Sequence, residues 1–209
     1  MASSLHQASA PLALRNVLVA GLEWRPVTIS SMMDAADAAP INKGVRSHYM
    51  EQRMTIRNVE LDDRDAINSL SYQINQDHYE NMPGDFRKPD GAGGGWEHWL
   101  AFNYDEKGIF LVADDGKSVI GFIAGRVIDS GNTSYLIKKK KLQISTIVVD
   151  KQSRGKGIGR DLVESALCAG RKLGATEVFL EVMAYNKKAQ KFYEILGFGE
   201  FSSKLSMKL

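Results

Sequence analysis

From Met54 onwards, the spacing of apolar residues predicts alternating strands and helices. Short apolar runs predict strands at Thr55–Val59, Ile109–Ala113, Val119–Val127, Leu142–Val149 and Val178–Val182. Helical spacing predicts a helix from a cap at Asp62 or Asp63 to about Ile74, with Ala66, Ile67 and Leu70 on its buried face. It also predicts a short helix over Trp96–Phe102 and a main helix that buries Ile158, Leu162, Val163, Ala166 and Leu167 and ends at Gly174.

The remaining segments are predicted from breakers and caps. Gln76–Gly95 is predicted to be a long loop, Asp129–Thr133 a turn, and Phe198–Leu209 a closing hairpin. Asn186 is predicted to cap a last helix that ends at Gly197. The order of elements predicts an α/β (α+β) fold in which a mixed sheet carries helices on both faces.

The first 53 residues differ from the rest, because they show no sustained hydrophobic period. We therefore expect an N-terminal extension of unknown role over residues 1–53 and one domain over residues 54–209. Met54 itself is an alternative start of the chain.

Composition excludes several classes of function. With 209 residues and a net charge of +2, the chain has too little excess charge to imply nucleic acid or an anionic membrane as partner. The run Lys138–Lys141 is interpreted as a solvated strand end or hairpin, and the single Cys168 as a core thiol. No apolar run is long enough to span a bilayer, the four histidines lack metal-ligand spacing, and a cytoplasmic location is expected. Whether the chain forms a homodimer is left open.

Three alternating glycines, Gly155, Gly157 and Gly159, join a predicted strand to the main helix. Glycine permits a tight turn and a close approach, and the free amide groups of a helix N-terminus favour an anion such as a pyrophosphate. A Walker loop would require Gly-Lys-Ser or Gly-Lys-Thr at its end, and neither occurs here. A dinucleotide loop would require glycine where this chain has Arg160 or Leu162, so that motif does not fit either. A turn without a ligand remains an alternative for this loop taken alone.

Two blocks of sequence resemble the Gcn5-related N-acetyltransferase (GNAT) family. Gln152, Gly155 and Gly157 match Gln-x-x-Gly-x-Gly, the acetyl-CoA pyrophosphate loop of that family. The second block runs from Leu180-Glu181-Val182 through Asn186 and Phe192-Tyr193 to Gly197-Phe198, and is similar to the ribosomal-protein alanine acetyltransferases, the RimI type. The resemblance covers roughly residues 55–209. It implies a mostly antiparallel, twisted sheet in which strands four and five splay apart around the thioester arm of CoA.

The resemblance implies acetyl-CoA as cosubstrate and assigns residues to it. The backbone of strand four would bind the pantetheine, the loop the pyrophosphate, and the start of the last helix a further part of the arm. The implied cofactor-binding residues are Ile147, Val148, Val149, Arg154, Gly155, Lys156, Gly157, Ile158, Gly159, Asn186 and Tyr193.

The same resemblance implies two catalytic residues. Tyr193 would protonate the leaving thiolate, since a phenol stays protonated at neutral pH; packing between helices is the alternative for it. Many members carry a glutamate on strand four, where this chain has Ser145 and Thr146. Glu181 is then the candidate base; a surface ion pair for Glu181, or a water chain ending at Ser145 or Thr146, are the alternatives.

The acceptor is expected under the long loop, where Asp77, His78, Glu80 and Asp85 would attract a cationic amine or simply be solvated. The implied function is an N-acetyltransferase that moves an acetyl group from acetyl-CoA to a primary amine, on a small molecule or a protein, by direct attack in a ternary complex. The alternative is a non-catalytic regulatory module that binds acetyl-CoA.

Overall fold

A computed structural model of the chain describes residues 54–91, 95–130, 135 and 137–207. The predicted extension over residues 1–53 and most of the predicted turn after Asp129 lie outside the described residues. The elements in chain order are β1 Thr55–Asn58, α1 Arg64–Asn81, α2 Gly95–Tyr104, β2 Gly108–Asp114, β3 Val119–Asp129, β4 Lys140–Val149, α3 Ile158–Lys172, β5 Glu177–Leu180 and α4 Lys187–Ile195. Single 3₁₀ turns at Leu61–Asp63 and Lys151–Ser153 lie before α1 and α3.

The five strands form one sheet in the order β1-β2-β3-β4-β5. The first three pairings are antiparallel, and only β4 and β5 run parallel. The parallel pairing is short, because Lys141–Ile144 pair with Glu177–Leu180 while β4 continues to Val149 paired with β3 only. This arrangement confirms the predicted mixed, mostly antiparallel sheet and the splay of the fourth and fifth strands.

Each face of the sheet carries its own apolar core. The period of two along β3 places Ile123 and Val127 on the face that α3 covers, and Phe122 and Ala124 on the face that α1 and α2 cover. Leu162 of α3 and Ile67 of α1 are both 0% exposed, so each helix is buried along one stripe. Helices on both faces, as predicted, hold β4 from two sides while its last residues remain free of β5.

Helix α1 is longer than predicted, and the predicted loop correspondingly shorter. The helix continues through Asn81 and ends at Met82, the residue before Pro83. A residue that precedes proline is driven out of the helical region, so Pro83 is the physical stop signal. The polar residues from Gln76 to Asn81, which are predicted to begin the loop, are therefore helical, and Asp77, His78 and Glu80 lie on α1.

The predicted cap at Asp63 is wrong in its contacts. Asp63 is the residue before α1, but its carboxylate makes no cap hydrogen bond. It instead accepts hydrogen bonds at 2.8 Å from both terminal nitrogens of Arg57 and one at 2.7 Å from the Glu60 amide. The buried carboxylate therefore ties β1 to the start of α1.

Two further predictions fail at the surface. Cys168 is exposed on α3, because it lies one position beyond the buried stripe of that helix. The predicted closing hairpin does not form over the described part of the tail, which contains no strand from Phe198 to Met207. Its apolar residues Phe201 and Leu205 are 91% and 92% exposed, so an alternating pattern without a partner strand gave no sheet.

Candidate active site

The site lies where β4 and β5 separate, and we call this opening the fork. Ser145 begins the separation, since the register with β3 passes from Ile144 to Thr146 and leaves Ser145 without a partner. Such a bulge bends its strand. Opposite it, a Cβ added to Gly125 would lie 2.4 Å from the carbonyl oxygen of Gln143, so only glycine permits this close approach. The bulge thus lies directly after Ile144, the last residue of β4 that pairs with β5.

Beyond the bulge, the side chains of β4 are used for packing. Val148 is 3% exposed in the core beneath α1 and α2, and Ile147 and Val149 pack against the core beneath α3. Because these side chains pack into the two cores, we expect a ligand to be bound mainly by the backbone groups of these residues. The carbonyl oxygen of Val149 already accepts a hydrogen bond from Nε of Arg154 at 3.0 Å.

The first connector, residues 150–157, joins β4 to α3 and contains the predicted pyrophosphate loop. Gly155 and Gly157 have φ angles of +81° and +87°, and no atom lies within 4 Å of a Cβ added to either. They supply a left-handed turn and open space together, which a side chain would remove. Gly157 is the N-cap of α3 and has no side chain to cap it. The first amide groups of α3 are therefore left for an anion.

The next two residues of the motif have different roles. Ile158 is 3% exposed and packs in the core, so only its backbone can face a ligand. A Cβ on Gly159 would lie 3.3 Å from the ring of Phe192 on α4. Glycine at position 159 therefore lets α3 and α4 approach each other, and its motif position reflects packing as well as binding.

Helix α1 holds the start of the first connector, a contact that the sequence did not reveal. The Gln73 side chain donates to Asp150 Oδ1 at 2.9 Å and accepts from the Lys151 amide at 3.1 Å. One turn further, the Asp77 carboxylate pairs with Lys151 at 2.9 Å and with Arg154 at 3.6 Å. If the helical spacing of α1 is continued past Ile74, Asp77 lies one turn after Gln73 on the same helix. No local pattern identifies the partners of these two residues.

The second connector, residues 181–186, joins β5 to α4 and begins with Glu181. Glu181 is exposed, and it borders a cavity of about 160 Å³ between the two strands. The cavity is lined by Gln143, Ile144, Ser145, Phe179, Leu180 and Glu181. Among the described residues Glu181 makes no ion pair, whereas Glu177 pairs with Lys139 and Lys141 at the closed end of the strand pair. The structure therefore brings the candidate base and Ser145 to one cavity.

Helix α4 carries the candidate acid. Asn186 caps it as predicted, because its side-chain oxygen accepts from the Ala189 amide at 3.0 Å. Tyr193 is 8% exposed and its ring contacts the rings of Phe192 and Phe198. Burial raises the pKa of Tyr193 to about 12, so the hydroxyl keeps its proton at neutral pH. Packing and a proton-donor role are thus compatible in this residue.

Three of the four residues expected to face the acceptor, Asp77, His78 and Glu80, have side-chain partners of their own. His78 Nδ1 lies 2.7 Å from the Tyr185 hydroxyl, and its ring stacks on Phe86 with centroids 4.7 Å apart. Burial lowers the pKa of His78, against an opposing effect of Asp77, so the imidazole is neutral at pH 7. Glu80 accepts a hydrogen bond from Gln76 at 2.7 Å. His78 thereby joins α1 to the second connector, as Asp77 joins it to the first.

Two searches over the ranges that the structure describes were negative. No group of three or more His, Cys, Asp or Glu side chains is placed to hold a metal ion. None of the helices in these ranges is long and apolar enough to cross a bilayer.

Comparison with known proteins identifies the family. Residues 72–198, more than half of the chain, match the acetyltransferase (GNAT) family. The chain belongs to this family, and the cosubstrate predicted from the glycine loop, acetyl-CoA, is confirmed at the level of the family. The finer likeness to the RimI type stays a prediction.

Curated relatives match over part of their length. An uncharacterised N-acetyltransferase of Methanocaldococcus jannaschii is 33% identical over 159 residues, which cover 76% of this chain and 66% of that protein. N-acetyltransferase 8B of Homo sapiens is 32% identical over 89 residues, 43% of this chain and 37% of that protein. The chain thus spans between about two fifths and two thirds of the length of these relatives.

Solved structures agree on the fold. A mutant form of a Bacillus halodurans protein superposes with a TM-score of 0.69 at 23% identity, covering 74% of this chain and 99% of that one. The aminoglycoside acetyltransferase AAC(6')-Iy, solved with a bisubstrate analogue of CoA, gives a TM-score of 0.58 at 18% identity and covers 75% and 98%. At these identities the likeness concerns the fold.

Proposed function

We propose that the chain is an acetyl-CoA-dependent N-acetyltransferase that transfers the acetyl group to a primary amine by direct attack in a ternary complex. One observation carries the proposal: the uncapped N-terminus of α3 packs, through Gly159 and Phe192, against α4, the helix that carries the buried, protonated Tyr193. Holding acetyl-CoA requires a group that binds its anionic pyrophosphate, which a helix N-terminus can do. Releasing its thiolate requires a proton donor.

The residues divide the work as follows. The amides of the loop at residues 155–159 bind the pyrophosphate, with Lys156 adding charge. Backbone groups of Ile147 and Val148 bind the pantetheine in the manner of an added strand. Asn186 contacts the arm from the start of α4.

The transfer itself is an attack of the neutral amine nitrogen on the thioester carbonyl carbon. The carbon–nitrogen bond forms, the carbon–sulfur bond breaks, and sulfur leaves as the thiolate. Tyr193 gives its proton to the sulfur, and Glu181, directly or through water near Ser145, accepts the proton that the amine loses. The carbonyl oxygen is polarised by a backbone amide of β4.

The test is release of free CoA thiol from acetyl-CoA with a panel of amines. The panel contains a peptide N-terminus, a lysine peptide, a polyamine, an aminoglycoside and free amino acids. We expect thiol release with at least one class and a matching mass gain of one acetyl group on the acceptor. Calorimetric binding of acetyl-CoA without thiol release for any amine would favour the non-catalytic module instead.

A further inference from the structure

The carboxylate of Asp77 lies between two cations of the first connector. Its Oδ1 is 2.9 Å from Lys151 Nζ and its Oδ2 is 3.6 Å from Arg154 Nη2. About half of each cationic side chain and a third of the Asp77 side chain are exposed. One carboxylate of α1 therefore neutralises part of the charge beside the predicted pyrophosphate loop.

The position of Asp77 is imposed by the fold. Gln73, one turn earlier on the same helix face, bonds both Asp150 and the Lys151 amide, and His78 bonds Tyr185 on the second connector. Arg154 is held from its other side by the Val149 carbonyl. Because α1 and the first connector are anchored to each other by these contacts, forming the ion pairs costs less side-chain entropy than pairing two unrestrained surface side chains.

The connector and the first turn of α3 carry four cations, and they fall into two sets. Lys151 and Arg154 are paired with Asp77, whereas Lys156 and Arg160 make no ion pair with any residue that the structure describes. The loop thus offers an incoming anion two available charges next to two that an internal carboxylate already occupies.

We infer that Asp77 is an internal anion that competes with the pyrophosphate of acetyl-CoA for Lys151 and Arg154. This inference rests on the proposed function, since it takes the loop to be the cofactor site. Binding of the cofactor draws the two cations towards the pyrophosphate and away from Asp77. When the acetyl group has been transferred, Asp77 recaptures them and speeds the departure of CoA.

A purely positioning role would give the opposite sign. If Asp77 only holds Lys151 and Arg154 where the pyrophosphate needs them, its loss weakens binding. If it competes, its loss strengthens binding. Each exposed ion pair is worth at most about a fivefold change in an equilibrium constant. We therefore expect Asp77→Asn to bind acetyl-CoA and CoA about 2–10-fold more tightly and to release CoA more slowly.

The experiment is calorimetry of the full chain with acetyl-CoA and with CoA, combined with stopped-flow release of CoA. Asp65→Asn is the matched control, because it removes the same charge from the same helix about 18 Å away along the axis. Measurements are made near 0.01 M and near 1 M salt, where the screening length falls from roughly 30 Å to roughly 3 Å. The advantage of Asp77→Asn should shrink at high salt.

A second variant keeps the test independent of the first. In Lys151→Gln, which removes one of the contested cations, the gain from Asp77→Asn should be smaller. Unchanged or weaker cofactor binding by Asp77→Asn at low salt would overturn the inference, as would an equal gain in Asp65→Asn. Absence of acetyl-CoA binding in the unaltered chain would instead overturn the proposed function.

Discussion

Two helices begin at the open end of the fork, and they differ in whether a side chain caps the N-terminus. Helix α4 begins at Asn186, whose side-chain oxygen accepts a hydrogen bond from the Ala189 amide at 3.0 Å. Helix α3 begins at Gly157, which has a φ of +87° and no side chain to cap it. Since unsatisfied amides at a helix start require an acceptor, α4 supplies its own and α3 leaves the place for a ligand.

The difference extends to the connectors before the helices. The first connector presents backbone and open space at Gly155 and Gly157, and two of its cations, Lys151 and Arg154, pair with Asp77 of α1. The second presents side chains: Glu181 at the cavity and Tyr185 bonded to His78. In the proposed function, one arm of the fork binds an anion through backbone, and the other places groups for proton transfer.

The largest expected effect comes from closing the α3 terminus. Gly157→Glu puts a carboxylate where the pyrophosphate must lie and forces a left-handed backbone on a residue with a side chain. We expect acetyl-CoA binding to fall by more than about 100-fold in calorimetry, equivalent to about 2.7 kcal/mol.

Gly91→Glu is the matched control for backbone strain. Gly91 also has a positive φ, +76°, and nothing within 4 Å of an added Cβ. It should bear the same strain and retain acetyl-CoA binding. Equal loss in both folded variants, or normal binding by Gly157→Glu, would remove the loop from the cofactor site.

The second effect is on chemistry alone. Tyr193→Phe removes the proposed proton donor of α4 and keeps its ring packing with Phe192 and Phe198. Turnover should fall by roughly 10²–10⁴, with little change in acetyl-CoA affinity. Tyr104→Phe, at an exposed tyrosine, should leave both unchanged. Parallel loss of binding and turnover would make Tyr193 a cofactor contact, and normal turnover would exclude it from proton transfer.

The third effect concerns the base on the second connector. Glu181→Gln should lower turnover by about 10²-fold at neutral pH, at the weak end of the range for proton transfer, since water can partly replace the carboxylate. Its residual rate should rise with pH, as more of the acceptor becomes neutral amine. Glu177→Gln, at the closed end of the strand pair, should not change the rate. A Glu181→Gln enzyme with wild-type rates at every pH would assign deprotonation to water alone.

The smallest effect tests the cap of α4. Asn186→Ala should lower the free energy of unfolding by about 1 kcal/mol in urea titration, the usual worth of a side-chain cap. Asn186→Asp keeps an acceptor oxygen and should retain that stability. Because it lacks the amide donor, Asn186→Asp should also bind acetyl-CoA several-fold more weakly. Full affinity in this stable variant would restrict Asn186 to capping.

Local patterns were enough to predict the elements that are marked by glycines, by a helix cap or by a regular apolar stripe. The glycines at 155 and 157 and the Asn186 cap each act within one turn of chain, and the apolar stripe of α3 repeats within a single helix, so the sequence predicted them correctly. The end of α1 was misplaced because polar residues from Gln76 onwards outweighed the stop at Pro83. The prediction of a closing hairpin was wrong because an alternating pattern forms a strand only where a partner strand is available.

Local sequence was enough to predict the family, the alternation of strands and helices, and the left-handed backbone of the glycine turn. What each side chain at the fork faces follows from the packing of distant segments. Asp77 meets Lys151 across 74 residues of chain and His78 meets Tyr185 across 107, so no local pattern could pair them. The proton on Tyr193 is likewise secured by burial among rings from other turns, which raises its pKa to about 12. Motifs follow from local backbone requirements, whereas charges, partners and pKa values depend on what folding brings near.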